Sequence, residues 1–376
     1  MKIDVITLHN ARNYGSVLQS LATQITLERK GYDVEFINYY RNNLISENIL
    51  KNNLENSKFF SRNFITRFIG KIILPKTINK QIKVFNKFVK EYIKTTKDVY
   101  YSYEDLKNNP PKADIYCTGS DQMWNSEWNN GIEKAFYLDF LPDKAPRFAF
   151  SSSFGRSEIS DDEEKEVSEM LKKYKAISVR ESSGIKILNK MGIKNAEHVL
   201  DPTLLLDKNM WNDIVKDKDL ERKKEKYILV YQLNMKNKEF DNYVKKLSKT
   251  KKMPVIRVSI NNYQRFKHGK LIDTPSVLDF LDYFLKAEYI ITDSFHGTAF
   301  SINLNKKFIC VFPKKFSARL QSILELTGLE DRKLKINGDI NQIDEEIDYD
   351  RVNKILEQER NKTNKFIDKA LELCKE

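Results

Sequence analysis

The sequence has little cysteine, three in 376 residues, and no two are paired in CxxC or similar spacing. Cys117 and Cys310 lie inside apolar strand patterns and Cys374 lies two residues from the end. That distribution excludes a disulfide scaffold and a zinc site. Long hydrophobic runs are also missing: the longest, such as Phe308 to Phe312, fall far short of the ~20 residues that cross a bilayer. The first ten residues carry Asp4 and no cleavage pattern, so a cytoplasmic protein is expected. Neither a G-x-G-x-x-G dinucleotide fingerprint nor a GxxxxGK(S/T) phosphate loop occurs, which removes the usual support for nicotinamide and nucleoside-triphosphate readings. Internal repeats and low-complexity tracts are absent, and the length exceeds what one hydrophobic core usually serves, implying two domains.

What is abundant is positive charge, and it is unevenly placed. The formal net charge is +12, and Arg41 to Tyr100 alone holds 13 Lys/Arg against 4 Asp/Glu. Lysine, asparagine and isoleucine richness is also the mark of an AT-rich genome, so lysine number by itself carries no function. No recognised nucleic-acid module accompanies the charge, and no nucleic-acid partner is expected. From Lys58 to Lys76, Phe60, Phe64, Phe68 and Ile72 recur four apart among Arg62, Arg67 and Lys71. Such a basic amphipathic helix either packs its stripe on the domain as an insertion or lies peripherally on an anionic membrane face.

Elsewhere strands alternate with helical patterns, the signature of parallel α/β sheets. One series runs from IDVITLHN through YDVEFINYY, ADIYCTG, RFAFSSSFG, AISVRE and HVLDPT; the second from YILVYQL through PVIRVSI, EYIITD and KFICVF. The charged stretch from Lys216 to Lys226 reads as a linker. The expected organisation is an N-terminal α/β domain over 1–215 with a basic helical insertion at about 41–100. A C-terminal α/β domain over 227–349 and a helix over 350–376 that packs back on the first domain complete it.

In open α/β sheets, ligands bind at loops following the carboxyl ends of strands, where the next helix presents unpaired N–H groups. Polar residues cluster at six such ends: His9 to Ser16, Gly119 to Asn125, Ser152 to Gly155, Arg180 and Glu181, Asp201 to Thr203, and Asp293 to Thr298. The last, DSFHGT, is the most specific. A buried strand empties into a turn where Asp293 or Ser294 caps the next helix, Gly297 admits a close ligand, and His296 with the free N–H groups forms an anion cradle. An ordinary N-cap with a histidine packed on its own helix is the alternative. In the first loop, Asn13 or Ser16 supplies a cap and Gly15 a close approach, beside His9.

The ordered set NYGSVLQ, GSDQMWN, FYLDF, SSSFG, SVRE, VLDPTLLL and ITDSFHGTAFSI resembles the polysaccharide pyruvyl transferase family, from Asn13 to about Leu329. The resemblance implies two Rossmann-like domains facing across a cleft, glycosyltransferase-B-like. It also implies phosphoenolpyruvate as donor substrate and a glycan or lipid-linked saccharide acceptor converted to a cyclic pyruvate ketal; no further cofactor and no metal-ligating residues are expected. Donor phosphate and carboxylate call for guanidinium groups and a helix N-terminus, here Arg180, Arg319, Ser294, Gly297, Thr298 and His296. His296 is expected to bind phosphate and protonate the leaving group, and Asp121 to take the acceptor proton unless it is a turn residue. Arg180 meets either the donor or Glu181 or Asp201; Arg319 meets the donor or solvent. His9, Asn13, Tyr14, Gly15, Ser16 and Trp124 would face the acceptor or the cleft, Trp124 and Trp128 offering flat faces to sugar or to the core. Asp293 is expected to orient His296 or cap its helix. Many family members carry arginine two residues before the motif histidine, where this sequence has Ser294, so Arg319, Arg332 or a lysine of the basic segment must supply that charge. A nucleotide-sugar glycosyltransferase on the same fold is the second reading, and a nucleic-acid-binding protein a distant third.

Overall fold

Strand β1 (Lys2–Ile6) buries every residue after Lys2, and it can do so because it lies between two parallel neighbours and under helices on both faces. A computed structural model describes residues 1–41, 50, 54–55, 62–216, 225–234, 237–314, 317–335 and 338–376. The amphipathic positions 58–61, Phe60 among them, and most of the expected linker lie outside the described residues.

The first sheet contains β1, β2 (Asp33–Tyr39), β3 (Thr95–Tyr100), β4 (Ile115–Thr118), β5 (Arg147–Ser152), β6 (Ala176–Val179) and β7 (Glu197–His198), in the order β3-β2-β1-β4-β5-β6-β7. The second contains β8 (Ile228–Tyr231), β9 (Val255–Ser259), β10 (Lys270–Asp273), β11 (Tyr289–Thr292) and β12 (Lys307–Cys310), in the order β10-β9-β8-β11-β12. All pairings between these strands are parallel. Edge strands β3 and β10 escape the sequence reading because little of either is buried. TTKDVY leaves three central residues exposed, so no continuous apolar run marks it. The end of the 41–100 span is therefore sheet, not helical insertion.

Strand order reverses between β1 and β4 in the first sheet and between β8 and β11 in the second. Loops diverge at such a point and open a crevice. The turns leaving β1, β4 and β11, which carry HNARNYGS, GSDQMWN and DSFHGT, sit at these positions.

Helix α1 (Tyr14–Glu28) follows β1 and is buried along nearly its whole length. It packs against the short helix Pro202–Leu205 and against helix α3 (Val277–Lys286) of the second half; helix α2 (Phe64–Tyr92) contacts both α1 and α3. Tyr14 stacks on Phe280 at 4.3 Å and donates its hydroxyl proton to Pro275 O at 2.8 Å. Helix α4 (Phe295–Asn303) follows β11, helix α5 (Ala318–Thr327) follows β12, and helix α6 (Tyr349–Leu373) returns to contact β5 and β6 of the first sheet. Thr363 Oγ1 there accepts from Leu200 N at 3.1 Å, and Arg360 Nε donates to Leu204 O at 2.8 Å.

Candidate active site

Two helix N-termini meet where the halves of the molecule touch. Asn13 caps α1, its Oδ1 accepting from Gly15 N at 2.9 Å and Ser16 N at 3.3 Å. Ser294 caps α4, accepting from Gly297 N at 3.3 Å. The Asn13 cap uses two donors and the Ser294 cap one, leaving other first-turn N–H groups pointing out of the helix, where partial positive charge gathers. The turns pack so closely that a Cβ added to Gly15 would lie 2.0 Å from His296 Nδ1. Only glycine fits at that contact.

Beneath the junction lies a chain of buried charges. Arg180 leaves the end of β6 with no exposed side chain, directing Nη1 to Asp201 Oδ2 at 2.8 Å and Nη2 to Asp121 Oδ1 at 3.0 Å. Ser120 Oγ donates to Asp201 Oδ2 at 2.9 Å, Thr203 Oγ1 to Asp201 Oδ1 at 2.6 Å, and Ser16 Oγ to Asp121 Oδ2 at 2.5 Å. His296 Nε2 stands 3.8 Å from Asp201 Oδ2, too far for a hydrogen bond, and has no partner although buried. Arg180 and Arg319 both lie over the Phe295 ring, 4.6 and 5.7 Å from its centroid. The Nε of Arg319 is likewise buried and unpartnered.

The charge states follow from these neighbours. Burial raises the pKa of Asp121, but Arg180, then His296 and the Ser16 hydroxyl, outweigh burial and hold the carboxyl well below its usual range. Asp201 is lowered by His296 and Arg180 against the same burial. Burial lowers His296 to about 4 despite the opposing pull of Asp201 and Asp121, so the free imidazole is neutral at neutral pH. Burial and then the like charge of Arg180 lower Arg319 to about 10. It stays a cation, drawn by Asp121, Glu181 and Asp201 but paired with no carboxylate among the described residues. Glu181 is raised by burial, while accepting from Ser153 Oγ at 2.9 Å and Gly155 N at 3.1 Å.

The structure thus gathers His296, Asp121, Arg180, Arg319, Gly15 and Ser16 around one point, and leaves other expected residues away from it. Arg180 takes the ion-pair alternative, with Asp201 and Asp121. Asp121 is a poor proton acceptor because a carboxylate held so low is a weak base; its φ of 81° is a strained backbone setting for a non-glycine residue. Asp293 neither touches His296 nor caps α4: its carboxylate accepts from Leu233 N at 2.7 Å and Asn234 N at 3.0 Å, tying down the turn after β8. Trp124 offers no face to a sugar, being 0% exposed, stacked on Tyr137 and donating Nε1 to Phe136 O; Trp128 is the exposed one. His9 is fully buried against Phe36, with Nδ1 donating to Thr7 O. Thr298 turns its hydroxyl to Cys310 Sγ, and Gly297 fits against Thr292 Oγ1, where a Cβ would come within 2.3 Å. Arg332 is committed to Asp331, Glu345 and backbone carbonyls in the second domain's core. Asp201, foreseen only as an alternative partner of Arg180, and Ser120, whose only signal was a polar residue at a strand's carboxyl end, are further members of the site.

Solved structures share this architecture. S. aureus MnaA in its UDP co-structure has a TM-score of 0.53 at 13% identity, covering 94% of this chain and 90% of that one. UDP-GlcNAc 2-epimerase from Neisseria meningitidis bound to UDP-GlcNAc has a TM-score of 0.52 at 10% identity, with 99% of each chain covered. Arabidopsis thaliana UGT89C1 complexed with UDP-L-rhamnose has a TM-score of 0.51, again at 10% identity and 99% of each chain. Identities this low speak to the fold alone: two Rossmann-like sheets in a glycosyltransferase-B-like pair. No curated protein gives a significant sequence match. The family model described as polysaccharide pyruvyl transferase matches residues 13–311, from the cap of α1 to the end of β12, so it spans both switch-point crevices. The chain belongs to the polysaccharide pyruvyl transferase family and is a transferase.

Proposed function

We propose that this enzyme moves the enolpyruvyl group of phosphoenolpyruvate onto a sugar of a glycan or lipid-linked saccharide, forming a pyruvate ketal and releasing phosphate. The observation that carries the reading is the pairing of a half-buried guanidinium, Arg319, whose Nε is buried without a partner, with an unpartnered buried imidazole, His296, at converging helix N-termini. A ligand with two anionic groups and a proton to exchange satisfies all of them together. Arg319 and the first turn of α4 hold phosphate, while Arg180, its charge already met by Asp121 and Asp201, sets the shape of the pocket floor. Ser294 contributes its cap and no charge.

In the reaction, the methylene carbon gains a proton and the enol carbon becomes the electrophile. One sugar hydroxyl adds there, phosphate departs, and the second hydroxyl closes the ketal. Of the two hydroxyl protons released, one balances the new methyl group and one replaces the proton that His296 gives to phosphate. Arrival of the anionic donor raises the pKa of His296, so the imidazole takes up a proton on binding and delivers it to the departing phosphate.

The test is release of inorganic phosphate from phosphoenolpyruvate across a panel of saccharide acceptors, alongside thermal unfolding. Phosphoenolpyruvate should raise the melting temperature and nucleotide sugars should not. Stabilisation by a UDP-sugar alone would overturn the assignment in favour of glycosyl transfer.

A further inference from the structure

Helix α2 lives in two environments divided at Pro75. Beyond the proline, Ile78, Gln81, Phe85 and Phe88 are buried. Gln81 Nε2 donates to Ile260 O at 2.6 Å, Lys80 Nζ pairs with Asp273 at 2.9 Å, and the Phe85 ring lies 5.0 Å from that of Tyr14. This half is fastened to both domains next to the start of α1. Before the proline only Gly70 is buried. Phe64 is 82% exposed, Ile65 69%, Phe68 56% and Ile72 54%, with Ile69 and Ile73 exposed beside them. At about 100° per residue the six occupy one half of the helix circumference. A contiguous apolar face of this kind is rare on a surface that meets only water.

Its surroundings are of one charge. From Arg62 to Lys90 the sequence holds eight Lys/Arg and no Asp/Glu. Arg67 and Lys71 run along one margin of the apolar face, and Arg62 and Lys76 close its two ends, all four exposed. A second copy docked through the same face would bring these cations together, which like-charge repulsion opposes. An anionic lipid surface accepts both features, with aromatic and isoleucine side chains entering the acyl boundary while long basic side chains stay among the headgroups. No helix among the described residues is long and apolar enough to cross a membrane, so the contact would lie on the bilayer.

We propose that the first half of α2 is a bilayer-docking surface for anionic phospholipid, with Phe64, Phe68 and Ile72 as its inserted residues and the half beyond Pro75 as the rigid link that sets both domains at the membrane. This rests on exposure and charge and is independent of the donor chemistry.

The experiment is flotation of the full chain with phosphatidylcholine vesicles with and without phosphatidylserine, with no phosphoenolpyruvate present, so a negative result leaves the transferase reading standing. The chain should float with the anionic vesicles at low salt, release as salt rises, and stay behind with phosphatidylcholine alone. F68D/I72D should weaken binding about tenfold or more at an unchanged melting temperature, and R67E/K71E should weaken it on anionic vesicles. Failure of the wild type to float with phosphatidylserine at low salt would overturn the proposal, as would full binding by F68D/I72D. So would a dimer in light scattering that F68D/I72D dissolves without any vesicle binding, since a second copy would then own the face.

Discussion

At the scale of single residues, the candidate site separates charges that hold the structure from charges left free for a ligand. Arg180 is neutralised by Asp201 and Asp121 at 2.8 and 3.0 Å, so removing one partner strands a buried charge. Asp201→Asn should lower unfolding free energy by about 3–5 kcal/mol in urea titration. Arg319 has no such partner to strand. Arg319→Ala should leave stability within about 1 kcal/mol while abolishing phosphoenolpyruvate binding by calorimetry; unchanged affinity would remove Arg319 from the site. His296 supplies a pH signature. With its pKa lowered to about 4 by burial, against ~6.5 unfolded, the unfolded chain binds the extra proton between those values. The stability it contributes is fully present above about 6.5 and lost as pH falls through about 4. A variant His296→Gln should show a flatter stability curve across that window, the difference amounting to up to ~3 kcal/mol. Donor binding to the wild type should take up a proton near neutral pH, seen as a buffer-dependent binding enthalpy, and that uptake should vanish in His296→Gln.

At the scale of elements, the contact between the first turns of α1 and α4 is what makes two loops one site. Gly15→Ala places a Cβ on the His296 ring, so it should cost about 1–3 kcal/mol. In a His296→Ala background most of that cost should disappear, because the space the methyl needs has been emptied; a double-mutant cycle by chemical unfolding measures it. Additive effects would mean the helices do not meet as described. Strand β1 carries a second titratable group: burial raises Asp4 to about 6 although Lys2 Nζ lies 3.1 Å away. A carboxyl raised in the folded state favours folding at low pH and loses that contribution as pH rises through about 6. Asp4→Asn should therefore gain on the wild type by up to ~3 kcal/mol above that pH and by nothing below about 4.

At the scale of the whole molecule, one hydrophobic cluster runs through both sheets and the C-terminal helix, joining Ile3 and Phe148 to Leu229, Phe300 and Phe366. Two α/β units sharing such a core should unfold in one calorimetric transition, with phosphoenolpyruvate shifting the whole of it. Deleting residues 349–376 exposes Val352's, Leu356's and Ile367's packing sites and should split or abolish that transition.

The sequence by itself determined the parallel α/β class, the family, and six polar strand ends of which strand order places three at the switch points, because buried strands covered on both faces read as continuous apolar runs and the turns after them read as polar interruptions. It also revealed the missing guanidinium at Ser294 and the acid-free basic helix. It could not tell Trp124 from Trp128, since both are apolar surfaces until packing buries one. Nor could it see that Asp293 serves the turn after β8, or choose between donor, Glu181 and Asp201 for Arg180, which is spent between two aspartates brought from 59 positions before it and 21 after it. Local pattern records which face of an element is covered, not which charges will meet. Those meetings are set by strand order and domain packing, so only the tertiary structure decided that Arg319, beyond the end of the matched family span, brings to the site a guanidinium that pairs with no carboxylate among the described residues.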